Sequence, residues 1–132
     1  MWYNKFMNIN ELIKLAFDAQ KNSYSPYSNF AVGACVLSKN QKVYCGANIE
    51  NSSYPAGICA ERVALSKAIS EGEKEFEIIV IMANGDNYPY PCGICRQFLS
   101  EFGNMKVVVA KSIDDYKEFM LSELLPNAFK LE

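Results

Sequence analysis

The chain predicts an α/β fold, a mixed five-stranded sheet with helices on both faces. Three observations carry this. Short apolar runs of strand length, such as residues 78–83, alternate with stretches of helical periodicity, such as residues 11–21. Residues 30–38 are apolar on both faces through Ala31, Val32, Ala34, Val36 and Leu37, as a central strand covered on both sides must be. Finally, a whole helix separates the third and fourth strands, whereas only residues 111–115 join the fourth to the fifth. The first link allows a parallel crossover and the second allows only an antiparallel neighbour.

Asn8 or Asn10 can cap a first helix running through Glu11 to about residue 21, with Leu12, Ile13, Ala16, Phe17 and Ala19 as its apolar stripe. Tyr24-Ser25-Pro26-Tyr27-Ser28-Asn29 is a turn-rich loop. The strand at 30–38 and a second at 43–48 flank the polar turn Lys39-Asn40-Gln41-Lys42 and form an antiparallel hairpin. A long polar loop over 48–57 leads to a helix over about 58–70, with Gly72 as its C′ residue. The third strand covers 78–83 and a loop begins at Asn84-Gly85-Asp86-Asn87. Pro91 suits the first turn of a helix reaching Phe102 and stopped at Gly103. Strands at 106–110 and 116–120 follow, then a short helical turn over 122–125 stopped by Pro126.

At 132 residues the chain predicts one domain over 1–132 with a core of its own. Half the residues are apolar and the mean hydropathy is −0.07, a soluble, globular balance. No apolar run is long enough for a bilayer, and the aromatic start (Trp2, Tyr3, Phe6) does not read as a signal peptide. Five cysteines, two of them three residues apart, argue against a disulfide framework and for reduced thiols in the cytoplasm. Cys35 and Cys45, on strands, are read as core packing. A net charge of −2 without a Lys/Arg run excludes a polynucleotide-binding stripe and fits a small, roughly neutral ligand.

There is no histidine, so a metal site must use thiolates and carboxylates, and a proton carrier cannot be imidazole. Cys59, in Gly57-Ile58-Cys59-Ala60-Glu61, and Cys92 and Cys95, in Pro91-Cys92-Gly93-Ile94-Cys95-Arg96-Gln97, stand where two helices begin. Helix N-termini favour thiolates. Three thiolates leave a tetrahedral zinc ion one open position, as catalytic sites do. They also leave one excess negative charge, which Arg62, three residues past Cys59, and Arg96 could drain by hydrogen bonds to sulfur. Zinc in such a site lowers the pKa of bound water towards neutrality, and Glu61 is placed to take and return protons.

Along nearly its whole length the chain resembles the small homotetrameric cytidine deaminases. The likeness rests on Ser25-Pro26-Tyr27-Ser28-Asn29-Phe30, Gly46-Ala47-Asn48-Ile49-Glu50-Asn51, Cys59-Ala60-Glu61-Arg62, the Pro91–Gln97 motif and Glu123-Leu124-Leu125-Pro126-Asn127-Ala128-Phe129. Cys59 stands where zinc nucleobase deaminases carry either His or Cys. The resemblance implies a three-layer α/β/α fold and hydrolytic deamination of cytidine and deoxycytidine in pyrimidine salvage. It implies Zn2+ on Cys59, Cys92 and Cys95, with Glu61 moving protons to N3 and to the leaving amino group. Asn48 and Glu50 would bond the ribose 3′-hydroxyl, and the Ala60 N–H would read the ring carbonyl. Phe30 would pack on the pyrimidine, as would Phe129 from a neighbouring subunit, and Tyr54 would lie near the sugar of an adjacent subunit's site. Tyr90 replaces the Ser or Thr usual before Pro-Cys, at the mouth of the site.

Three other readings compete. A C-x-x-C thiol–disulfide oxidoreductase leaves Cys59 and Glu61 without a task. A purely structural zinc module needs a fourth protein ligand. A deaminase of a nucleoside antibiotic such as blasticidin S is disfavoured by Asn48-Ile49-Glu50-Asn51.

Overall fold

The computed structural model describes residues 7–132, and the expectation for Trp2, Tyr3 and Phe6 lies outside them. The chain runs α1 (Ile9–Gln20), β1 (Gly33–Ser38), β2 (Val43–Ala47), α2 (Ala60–Ser70), β3 (Phe76–Met82), α3 (Gly93–Ser100), β4 (Lys106–Ser112), β5 (Asp115–Met120) and α4 (Leu121–Leu124). The strands form one sheet in the order β2-β1-β3-β4-β5. Only β3 and β4 pair in parallel, across α3, so the mixed sheet follows the lengths of the connections.

Two apolar layers flank the sheet. On one face Leu12, Ile13 and Ala16 of α1 bury against Cys35, Leu37, Val80 and Met82. On the other, Ala60, Ala64, Leu65 and Ala68 of α2, Leu99 of α3 and Leu121 of α4 pack on Val36, Ile79, Ile81, Val107 and Val109. Alternate residues of β3 serve opposite layers, which is the period of two at work. All six residues of β1 are buried, as its two-sided apolar pattern requires.

Of the two possible caps for α1, Asn8 takes the role, accepting from the Glu11 N–H at 2.9 Å. Gly72 (φ +99) is the C′ residue of α2, and its backbone neighbour Glu73 donates to the Ala68 carbonyl.

Several expected boundaries move, each for a local reason. β1 begins at Gly33, because the Asn48 side chain bonds the Phe30 carbonyl and the Val32 N–H in place of a ladder partner. α2 begins at Ala60, because Ile58 exchanges both backbone hydrogen bonds with Ile49. Residues 54–56 of the expected loop form a 3-10 turn with Pro55 inside it. α3 begins at Gly93 with Cys92 as N-cap, and it ends at Ser100.

One expectation is corrected. Cys35 and Cys45 are core residues, but they are joined as a disulfide rather than kept as separate thiols. The hairpin register sets them directly opposite one another, with Cα atoms 4.2 Å apart, so the sulfurs face across one pair of strands. Cys59, Cys92 and Cys95 remain free.

Candidate metal centre and ligand cavity

Two helix starts build the centre. Cys59 is the N-cap of α2 and Cys92 the N-cap of α3, both with extended backbone, while Cys95 lies within the first turn of α3 and is fully buried. Neither N-cap thiol caps its own helix, so both sulfurs are free to turn towards each other. The three Sγ atoms lie within 4.8 Å of one another, and those of Cys59 and Cys92 are 3.9 Å apart. A tetrahedral zinc ion with Zn–S bonds of about 2.3 Å needs sulfurs about 3.8 Å apart, so the donor set fits that metal.

The electrostatics point the same way. Cys59 is brought down to about 5, chiefly by its hydrogen bond with Cys95, with Arg62 and Cys92 adding to the effect against burial. Cys95 is raised in turn, chiefly by that same bond. Sulfurs this close cannot all ionise without a cation between them. Arg62 places Nη2 3.8 Å from the Cys59 sulfur, while its Nε is buried without a hydrogen-bond partner.

Glu61 is buried under this centre, with 4 % of its surface exposed. Burial carries its carboxyl from 4.5 up to about 7, and charge on Cys59 pushes the same way. Its own backbone N–H, Cys95 and Arg62 pull it back down. A carboxyl poised near neutrality can both take and give a proton. Ala60, beside it, is fully buried at the first position of α2.

A cavity of about 530 Å³ opens over Cys59 and Cys92, within the usual size of a small-molecule site. Asn48, Glu50, Tyr54 and Arg62 share its wall with Tyr27, Ser28 and Ile94. The Glu50 carboxylate accepts from the backbone N–H groups of Tyr27 (2.9 Å) and Ser28 (3.1 Å) and from the Ser28 hydroxyl. The last bond is the main reason its carboxyl is held below the usual value. Asn48 accepts from Val32 N–H and the Ser23 hydroxyl through Oδ1, and donates through Nδ2 to the Phe30 carbonyl. One amide hydrogen of Asn48 and spare lone pairs of Glu50 remain for a ligand. Tyr27 and Ser28 were not singled out from the sequence as site residues, although they belong to the Ser25–Phe30 motif that carries the resemblance.

Phe30 and Phe129, 47 % and 65 % exposed, do not line the cavity of their own protomer. Tyr54 is 74 % exposed at its rim, with its ring 5.8 Å from that of Tyr27. Tyr90 turns away to pack on Phe119 of β5 (5.8 Å) and Tyr88 (6.4 Å), so it anchors the loop before Cys92 rather than the cavity mouth. The expected contact of Arg96 with sulfur is corrected. Its Nε donates to the Pro91 carbonyl and its Nη1 to the Leu124 carbonyl, both at 2.7 Å, and among the described residues it bonds no sulfur.

A family model described as the cytidine and deoxycytidylate deaminase zinc-binding region matches residues 7–111. The cytidine deaminase of Sporosarcina psychrophila is 40% identical over 128 residues, spanning 96% of this chain and 94% of its own. That of Halalkalibacterium halodurans is 44% identical over 128 residues, spanning 96% and 97%. A crystal structure of cytidine deaminase from Burkholderia pseudomallei superposes with a TM-score of 0.89 at 38% identity, covering 93% of this chain and all of that one. With three thiols gathered at two helix starts, and with likeness along nearly the whole length, the chain belongs to the zinc-binding cytidine and deoxycytidylate deaminase family.

Proposed function

We propose that this chain, as one deaminase domain over 1–132, hydrolyses cytidine and deoxycytidine to uridine and deoxyuridine with release of ammonia. The observation that carries the reading is the buried Glu61 beside three thiols spaced for zinc, two of which, Cys59 and Cys92, line a nucleoside-sized cavity. Cys59, Cys92 and Cys95 would hold the ion, which when bound supplies Lewis-acid activation of water near neutral pH. Glu61 would take a proton from the attacking water and give it to N3 as the water oxygen adds to C4. It then takes the remaining hydroxyl proton and delivers it to the amino nitrogen, so the C4–N bond breaks and ammonia leaves. Arg62 offsets the excess negative charge at Cys59.

Asn48 and Glu50 are oriented by Ser23, Val32, Tyr27 and Ser28 before any ligand arrives, so little ordering is left to lose on binding the sugar hydroxyl. The Ala60 N–H, at the free N-terminus of α2, is available to the ring carbonyl. Phe30, exposed and outside the cavity wall of the ligand-free protomer, would come to pack on the pyrimidine once the nucleoside is bound. Phe129 and Tyr54, exposed on one protomer, reach neighbouring sites in a homotetramer that works in cytoplasmic pyrimidine salvage. No helix among the described residues is long and apolar enough to cross a membrane. No basic run is present for a polynucleotide.

Sedimentation of the zinc-loaded protein through a cytidine-containing solution tests activity and assembly together. Cytidine absorbance is expected to fall in a band moving as four chains. Loss of absorbance in a band of single chains would remove Phe129 as a donor across an interface, and no loss anywhere would remove the activity.

A further inference from the structure

The two arginines beside the thiols do different work. Arg62 faces sulfur, whereas Arg96 bridges the Pro91 carbonyl, just before Cys92, to the Leu124 carbonyl at the end of α4. The next residue of α3, Gln97, donates from Nε2 to the Phe129 carbonyl at 3.1 Å. Past Leu125 this is the one hydrogen bond among the described residues that ties the C-terminal segment to the rest of the chain. Asn127, with φ +56, turns that segment just after Pro126. The Phe129 ring stays largely exposed while its backbone is held from behind.

We propose that Arg96 and Gln97 are positioning residues that lock the C-terminal segment to the helix carrying Cys92 and Cys95, so that one element sets both the thiols and the aim of Phe129. This rests on the reading above, in which Phe129 packs on the pyrimidine of a neighbouring site. Arg96 fixes the root of the segment with two charge-assisted bonds. Gln97 fixes its far end with a bond to the backbone of Phe129 itself, which constrains the direction of the ring without touching it. Loss of the Gln97 bond therefore leaves the metal centre intact and lets Phe129 wander. A single net hydrogen bond changes an equilibrium roughly two- to tenfold.

A double-mutant cycle between Gln97→Met and Phe129→Ala, on the zinc-loaded enzyme, tests this. Methionine keeps the length of the side chain and removes the donor. Gln97→Met is expected to raise KM for cytidine roughly two- to tenfold, with kcat within about twofold and zinc content unchanged. In the Phe129→Ala background the same substitution should change nothing further. Should Gln97→Met fail to fold, Gln97→Asn, one methylene too short to reach, is read in the same way. An unchanged KM, effects that multiply in the double variant, or loss of zinc from Gln97→Met would each overturn the proposal. A wild-type enzyme with no action on cytidine would instead overturn the reading on which it rests.

Discussion

Glu61 is enclosed by protein two residues past a thiol that ionises readily, and the two groups titrate in opposite directions. In the zinc-free protein the Glu61 carboxyl rises from 4.5 to about 7, chiefly by burial. Its contribution to stability is therefore fully present below about 4.5 and is lost as the pH rises through about 7. Cys59, lowered from 9.0 to about 5, contributes stability that is lost as the pH falls through about 5. Glu61→Gln removes the first contribution and leaves the second. Urea midpoints of chelator-treated protein should show wild type losing stability relative to Glu61→Gln between pH 4.5 and 7, by on the order of 3 kcal/mol. A difference that stays flat with pH would show that the carboxyl is solvated. Cys59, Glu61 and Arg62, and separately Cys92 and Cys95, were legible in the sequence because short spacings at helix starts fix their relations, whereas the meeting of the two groups across 33 residues followed from the family resemblance. Arg96 was not, because its acceptors are main-chain carbonyls, one of them 28 residues away, and no residue type announces such a carbonyl.

Elements reach the sheet closely only where side chains are missing. A Cβ on Gly33 of β1 would stand 1.9 Å from the Ala16 carbonyl oxygen of α1, and one on Gly46 of β2 would stand 2.7 Å from the Ala64 nitrogen of α2. The two glycines thus admit one helix on each face of the hairpin. Gly33→Ala pits a methyl group against helix backbone, which cannot swing aside. It is expected to cost about 1–3 kcal/mol or more, read as a lower urea midpoint at unchanged slope. A midpoint equal to wild type would mean that α1 can shift at no cost. The kinds and order of elements were legible because connection lengths and apolar periods restrict them. The register of the β1–β2 hairpin was not. It turns on Gln41 in the left-handed region (φ +66), where the usual signals are Gly or Asn. With the register hidden, the apposition of Cys35 and Cys45 stayed hidden too.

For the whole molecule, the sheet brings two helix starts 33 residues apart in sequence to one point, and the three thiols gathered there are the one group among the described residues with metal-ligand spacing. The cavity above that point is rimmed by two exposed aromatic side chains, Tyr27 and Tyr54, while Phe30 and Phe129 stand exposed outside it, which suits the proposal that neighbouring copies complete the site. The proposed assembly rests on the family resemblance rather than on the sequence pattern, since an exposed Phe129 reads the same on a free tail as on one that crosses an interface. The metal and its proton carrier do the chemistry. Turnover of cytidine by Glu61→Gln, measured on protein shown to hold about one zinc per chain, tests them most directly. Retained zinc, a retained fold and deamination reduced by about 10²–10⁴-fold or more are expected. A zinc-loaded Glu61→Gln enzyme turning over within a few-fold of wild type would contradict this role for Glu61.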